Sequence, residues 1–461
     1  MSIADFSTTL NQTYEKMIQN LKTKPRDQAW RKAQLNALRT MLTENEEALN
    51  AAMWQDLHKS PFECSATEQG IVISEIDFIL SHLDAWMKPD HVSTPIYNQI
   101  GSSQILHEPY GLTLVIGAWN YPINLLLAPV VGAISGGNAV IMKPSEISSN
   151  TAHLIAKLVP KYLDQDLIAV VEGGPAETDI LLDKKFDLIF FTGSGTVGKI
   201  VMQKAAVNLT PAILELGGKS PALVLEDADI KVSAKRLTWG KFMNAGQTCV
   251  CPDYILVHPS VKNELVQEIK NCIQEFYGEK IQDSFDYCRI INEKNFDRLT
   301  GLLEGSKVIS GGHTDKKALY IEPTLLESTA TSAAMQQEIF GPLWPIIEMP
   351  DVKSMTEFVN QRPKPLALYI FSQSDSSIDQ ILNSTSSGGV SVNDVIMHMA
   401  APTLPFGGVG ASGMGHYHGE FSFHTFTHAK SVYKKSTLVD IPLRYAPYTD
   451  SKMKWMKRFF S

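Results

Sequence analysis

From residue 6 to about residue 87 glycine is sparse, and apolar residues such as Leu35, Leu38, Met41, Leu42 and Leu49 recur at three- and four-residue steps. That is the spacing of one helix face, and it predicts a helical lead-in. Lys88-Pro89-Asp90 breaks the pattern. Two β-rich runs follow, 92–100 and 104–107, and the Gly101-Ser102-Ser103 between them predicts a hairpin turn.

Beyond residue 111 short apolar runs alternate with helical segments. Leu112 to Gly117 precedes a predicted helix over 123–133, and Ala139 to Met142 precedes one over 151–162. Ile168 to Val171 and Asp187 to Phe191 continue the series, with a helix between them and another after. Runs apolar on both faces, separated by helices, indicate a parallel, doubly wound sheet. Ligands on such sheets bind outside the carboxyl ends of the strands. The residues there are Trp119-Asn120, Lys143-Pro144-Ser145-Glu146, Glu172-Gly173-Gly174 and Thr192-Gly193-Ser194, which have the polar and glycine chemistry a nucleotide needs. A second α/β section spans about 219–415, with apolar runs at 222–225, 254–257 and 366–371. Residues 421–433 alternate weakly and predict a further strand.

At 461 residues, 44% of them hydrophobic, the chain is long enough for two or three domains. The formal charge of -8 gives no whole-chain positive field to hold nucleic acid. Five cysteines without regular spacing suggest neither a disulfide framework nor a metal site, and favour a reducing compartment. The N-terminus has no secretory pattern, and the most apolar stretch, 123–134, is too short to span a bilayer. The expectation is a cytoplasmic protein without a membrane span.

One cysteine stands apart. Cys249 lies on a turn of small and polar residues, Asn244-Ala245-Gly246-Gln247-Thr248, where substrate and a proton acceptor can reach a thiol. Upstream stands Glu215-Leu216-Gly217-Gly218-Lys219, and downstream Glu338-Ile339-Phe340-Gly341-Pro342. These motifs, in this order, resemble the aldehyde dehydrogenase superfamily, and the resemblance runs from about residue 10 to residue 432.

The resemblance implies a chemistry and the residues for it. A thiolate of Cys249 adds to an aldehyde, and the oxyanion of the thiohemiacetal pushes out hydride to leave a thioester. Asn120 and the backbone N–H of Cys249 correspond to the oxyanion donors, and Glu215 to the base that activates water. Cofactor contacts are implied for Trp119, Lys143, Ser145, Glu146, Gly193, Ser194, Val197, Gly198, Leu216, Gly217, Glu338 and Phe340. A carboxylate at Glu146 favours a ribose 2′-OH and hence NAD, while Lys143 pulls toward NADP. The run Gly193 to Gly198 also matches G-x-G-x-x-G, with Glu215 about 20 residues on, where a dinucleotide fold keeps its ribose acid. Because that loop follows the fourth predicted strand and not the first, the spacing is read as coincidence. Gly195 departs from the family, which usually carries Thr there.

The segments 239–244, 404–410 and 412–415 are most similar to the class 3 branch, which favours medium- and long-chain aliphatic and aromatic aldehydes. Trp239, Thr248, Phe340 and Phe406 are then expected pocket walls. The expected fold is a Rossmann-like nucleotide-binding domain (1–91 and 109–217), an α/β catalytic domain (218–415) and a β element (92–108 and 416–440) joining two subunits of a homodimer. The tail 441–461 is basic and aromatic; a helix there would be amphipathic, packing Trp455 and Phe459 against its own or a partner subunit. A coenzyme-A-acylating dehydrogenase or an acyl-phosphate reductase of similar fold is the rival reading, and neither needs a water-activating base such as Glu215. A non-catalytic homologue would have no use for Cys249, Glu215 and Asn120 together.

Overall fold

Apolar runs without a solvent-facing side can be buried only if helices cover both faces of the sheet they make. The computed structural model describes residues 2–460, the side chains of 459 and 460 excepted. Its six-stranded sheet has the order Gly413–Met414, Ala212–Leu216, Leu188–Gly193, Leu112–Ile116, Ala139–Lys143 and Ile168–Val170. All pairs are parallel except the Gly413–Met414 edge, where Gly413 faces Glu215. From Leu112–Ile116 the chain winds outward on one side, then crosses over to Leu188–Gly193 on the other. That reversal opens a crevice between the two strands, where an open sheet binds its ligand. The helix Asn124–Ser135 follows the first strand, and every one of its residues is buried.

A seven-stranded sheet makes the second layer structure, ordered Lys307–Ser310, Thr324–Glu327, Leu343–Glu348, Tyr254–Val257, Pro221–Val224, Ala367–Phe371 and Gly389–Val392. Only its first pair is antiparallel. The helical lead-in forms as expected, in helices Ile3–Thr23, Gln28–Glu44, Glu46–Leu57, Pro61–Cys64 and Gly70–Trp86, with one π turn, Ser65–Gln69, between the last two.

The expected hairpin is displaced. Gly101, Ser102 and Ser103 lie inside the strand Gly101–Pro109, which pairs with Asp90–Val92 and, over its whole length, with Thr427–Lys435. Gly101 marks a close approach and not a turn: a Cβ there would sit 2.7 Å from the Tyr433 ring. The weak alternation over 421–433 also hides a helix, Gly419–Thr425, before the strand begins. Buried Glu75 starts that helix by accepting from the N–H of Gly419 at 2.7 Å and the hydroxyl of Ser422 at 3.0 Å.

The tail forms the helix Asp450–Phe460. Trp455 and Met453 stay about half exposed, and the Arg458 guanidinium lies 5.6 Å over the Trp455 ring. The contact expected of Phe459 lies outside the described residues. Among the described residues, no helix is long and apolar enough to cross a membrane.

Candidate active site

A cleft of about 650 Å³ occupies the crevice and runs to the turn that carries Cys249. At one end Lys143, Ser145 and Glu146 line it, just past the strand Ala139–Lys143. Lys143 is buried, and its Nζ lies 2.6 Å from Glu146 Oε2, which is partly exposed. Gly193, Ser194 and Val197 form the next wall, where the strand Leu188–Gly193 turns into the helix Gly195–Val207. Ser194 caps that helix by accepting from the N–H of Val197. Gly198 stands behind the wall: a Cβ there would lie 2.8 Å from Leu216 Cδ2, so glycine lets helix and strand close up. At Gly195 a Cβ would meet nothing within 4 Å, so the departure from Thr is not imposed by space.

Toward the other end the walls are Trp119, Asn120, Leu216, Gly217, Glu338 and Phe340. A Cβ on Gly217 would sit 2.2 Å from Glu338 Oε2, which shows how closely the two segments approach. Trp119 and Phe340 meet edge to face, 5.3 Å between centroids. The segment carrying Glu338 is tied down by Asp253, which accepts from Lys219 Nζ at 2.5 Å and from the N–H of Ile339 at 3.0 Å.

The turn before Cys249 is strained. Asn244, Ala245 and Gly246 all have positive φ (52°, 50° and 75°), a conformation that persists only where the surroundings hold it. Here buried amides do so. Glu63 accepts the N–H of Asn244 at 2.9 Å, and Asn244 Nδ2 donates to the carbonyls of Asn120 at 2.8 Å and Gln247 at 3.2 Å. Gln247 in turn donates to the carbonyls of Asn244 and Arg289, both at 3.0 Å, and accepts from the N–H of Ile291.

Burial pushes the Cys249 thiol up to about 12, with the nearby carboxylates of Glu338 and Glu215 adding to it and backbone N–H groups opposing. At rest it is a thiol. Both carboxyl oxygens of Glu215 are buried and lack a hydrogen-bond partner among the described residues, and burial raises that group well above the usual carboxylate range. Burial and then Asp253 lift Glu338 to about 8, against Gly218, Lys219 and Arg298. A carboxyl group with no protein partner, facing a cleft, can serve a water or a ligand that enters it. Cys251 is buried and faces away, its Sγ 3.7 Å from the Lys241 carbonyl.

Of the expected pocket walls Phe340 and Phe406 line the cleft. Thr248 shares a 2.7 Å hydrogen bond with the Tyr121 hydroxyl, Trp239 stands partly exposed on the helix Ile230–Phe242, and neither lines this cleft. Tyr417 and Arg298 do line the cleft and were not singled out by the sequence. Tyr417 sits among histidines with no telling spacing, and Arg298 inside an ordinary amphipathic helix.

Fold and site together define a nucleotide-dependent oxidoreductase. The profile of the Aldehyde dehydrogenase family matches residues 10–432, and the chain belongs to that family. It is an aldehyde dehydrogenase that uses NAD(P). Aldehyde dehydrogenase family 3 member A2 of Macaca fascicularis is 49% identical over 433 residues, covering 93% of this chain and 89% of its own. The aldehyde dehydrogenase of Rattus norvegicus described as dimeric and NADP-preferring is 49% identical over 416 residues, covering 90% of this chain and 92% of its own. Among solved structures, the substrate-bound AldH of Staphylococcus aureus superposes with a TM-score of 0.96 at 45% identity, over 100% of both chains.

Proposed function

We propose that the chain oxidises medium- and long-chain aliphatic or aromatic aldehydes to carboxylic acids, with Cys249 as nucleophile, Asn120 as oxyanion donor and Glu215 as the base for hydrolysis. The observation that carries this is the convergence of Cys249, Asn120 and the unpartnered carboxyl of Glu215 on one cleft. Addition of the Cys249 sulfur to the carbonyl carbon, its thiol proton leaving to water in the cleft, places negative charge on oxygen, and a fixed donor such as the Asn120 amide meets it without reorganisation. The buried carboxyl of Glu215 has no protein donor to satisfy it, so it is free to orient water against the thioester and take its proton.

The cleft suits NAD(P): strand ends, a capped helix N-terminus and the close Gly217–Glu338 approach line one continuous wall. Lys143, Ser145 and Glu146 would hold the adenosine ribose, Gly193, Ser194 and Val197 the phosphates, and Trp119, Leu216, Gly217, Glu338 and Phe340 the nicotinamide half. When bound, the nicotinamide accepts the hydride. Glu146 already occupies Lys143 and would repel a 2′-phosphate, which supports NAD ahead of NADP.

The strand Thr427–Lys435 stands at the edge of its sheet with most residues exposed, the form expected of an element that pairs across a homodimer. The word dimeric in the rat relative's description supports the same reading. A cytoplasmic site agrees with the cysteines, all five of them free.

Incubation with NAD or NADP and a panel of aldehydes, with and without coenzyme A, tests the whole. Reduced cofactor formed without coenzyme A is the expected result. Turnover that depends on coenzyme A would transfer the assignment to the acylating enzymes.

A further inference from the structure

The segment 59–68 belongs to the helical lead-in, far from the motifs, yet it carries charges that the fold buries. Between the helices Pro61–Cys64 and Gly70–Trp86, residues Ser65–Gln69 make a π turn, a feature that recurs at functional sites. Gly70 permits it, since a Cβ there would lie 2.2 Å from the Ser65 carbonyl oxygen. The turn points Glu68 inward, where Oε1 meets Lys59 Nζ at 2.7 Å, both side chains wholly buried.

What this pair touches is the loop that carries Asn120. Lys59 Nζ donates to the Asn120 carbonyl at 3.3 Å and lies 4.0 Å over the Tyr121 ring. Glu68 Oε2 accepts the N–H groups of Ile123 at 3.1 Å and Asn124 at 2.9 Å. The loop is therefore gripped at both ends, with Asn120 between the grip and the Cys249 turn. A buried ion pair is a weak source of stability, and apolar replacements of similar volume are often neutral. Its geometry, and not its energy, is the feature that needs a use.

We propose that Lys59 and Glu68 are positioning residues for acylation, holding Asn120 where its amide meets the oxyanion formed on a Cys249-bound substrate. This rests on the reading of Asn120 as oxyanion donor.

The test is a double-mutant cycle. The paired substitution Lys59→Met with Glu68→Gln removes both charges of the pair, while Glu63, which Lys59 also faces, keeps its hydrogen bonds to the Asn244 N–H and the Cys288 thiol; it is made in the wild type and in Asn120→Ala. In the wild type it should slow single-turnover hydride transfer by about 100-fold, the scale of a misplaced group. NAD(P) affinity, read by fluorescence titration, and the thermal midpoint should stay unchanged. In the Asn120→Ala background the same pair should cost less than about twofold, because the group it acts through is gone. An equal loss in both backgrounds, or no loss in the wild type, overturns the proposal. Undiminished transfer in Asn120→Ala alone instead removes the oxyanion reading, and the proposal with it. If the paired variant does not fold, Glu68→Gln alone, which keeps an oxygen for both N–H groups, is put through the same cycle and judged by the same outcomes.

Discussion

The side-chain amide of Asn120 donates to the main-chain carbonyl of Gln247 at 3.0 Å, across 127 residues of sequence. It ties a strand end of the nucleotide sheet to the turn that carries Cys249 two residues later. A primary amide has two N–H donors, and this bond uses one. The other is the one the proposed function assigns to the oxyanion, and the Gln247 bond fixes the amide in advance. A donor so fixed is worth about 3 kcal/mol in comparable sites.

The sulfur itself is the first point to test. Cys249→Ala should abolish aldehyde oxidation and leave NAD(P) binding intact, because the thiol supplies the covalent step and lies beyond the cofactor walls. Cys251→Ala is the control, since that thiol is buried and faces the Lys241 carbonyl. Steady-state rates of both variants decide the matter: equal losses would mean that the two cysteines act as a pair.

Glu215→Gln should leave the first turnover fast and the later ones slow, because hydrolysis of the thioester is the step in which Glu215 serves as base. A stopped-flow burst of reduced cofactor, followed by a steady rate lower by about 100-fold or more, is the expected trace. A collapse of NAD(P) affinity without a burst would make Glu215 the ribose acid of a glycine-loop dinucleotide site.

The sheet that forms the cleft was legible because its strands are apolar on both faces and end in residues of opposite character. Leu112–Ile116 running into Trp119-Asn120, and Ala139–Lys143 running into Ser145-Glu146, are such cases. What stayed hidden was of two kinds. Gly101 reads locally as a turn, and only the Tyr433 ring, brought from far along the chain, shows why glycine stands there. Lys59 and Glu68 were not singled out, because a π turn leaves no trace in a three- and four-residue pattern.

Cofactor choice turns on the Lys143–Glu146 pair. Glu146→Gln should release Lys143 and remove a repelling charge, improving kcat/KM with NADP relative to NAD on the order of tenfold at low salt. The gain should shrink as salt rises, since Glu146 is partly exposed. An unchanged ratio at every salt concentration would place the 2′ position away from this pair.

The resting thiol offers a measurement that needs neither aldehyde nor cofactor. Alkylation by iodoacetamide follows the thiolate fraction, and an unperturbed cysteine would level off just above its ordinary value of about 8.5. Cys249, held up to about 12, should instead react faster with every step in pH through that range, as read on the Cys249 peptide by mass spectrometry. Glu338 is the first of the charges that oppose the thiolate, and its own carboxyl is raised to about 8. Below that pH the carboxyl is mostly neutral, so wild type and Glu338→Gln should react alike. Above it the wild type acquires a charge that the variant lacks, the thiolate is disfavoured, and the variant should pull ahead. Two curves that separate as pH rises through about 8 are therefore the signature of coupling between Glu338 and Cys249. Curves offset by a constant factor at all pH would show that the substitution changed access to the sulfur and not its ionisation.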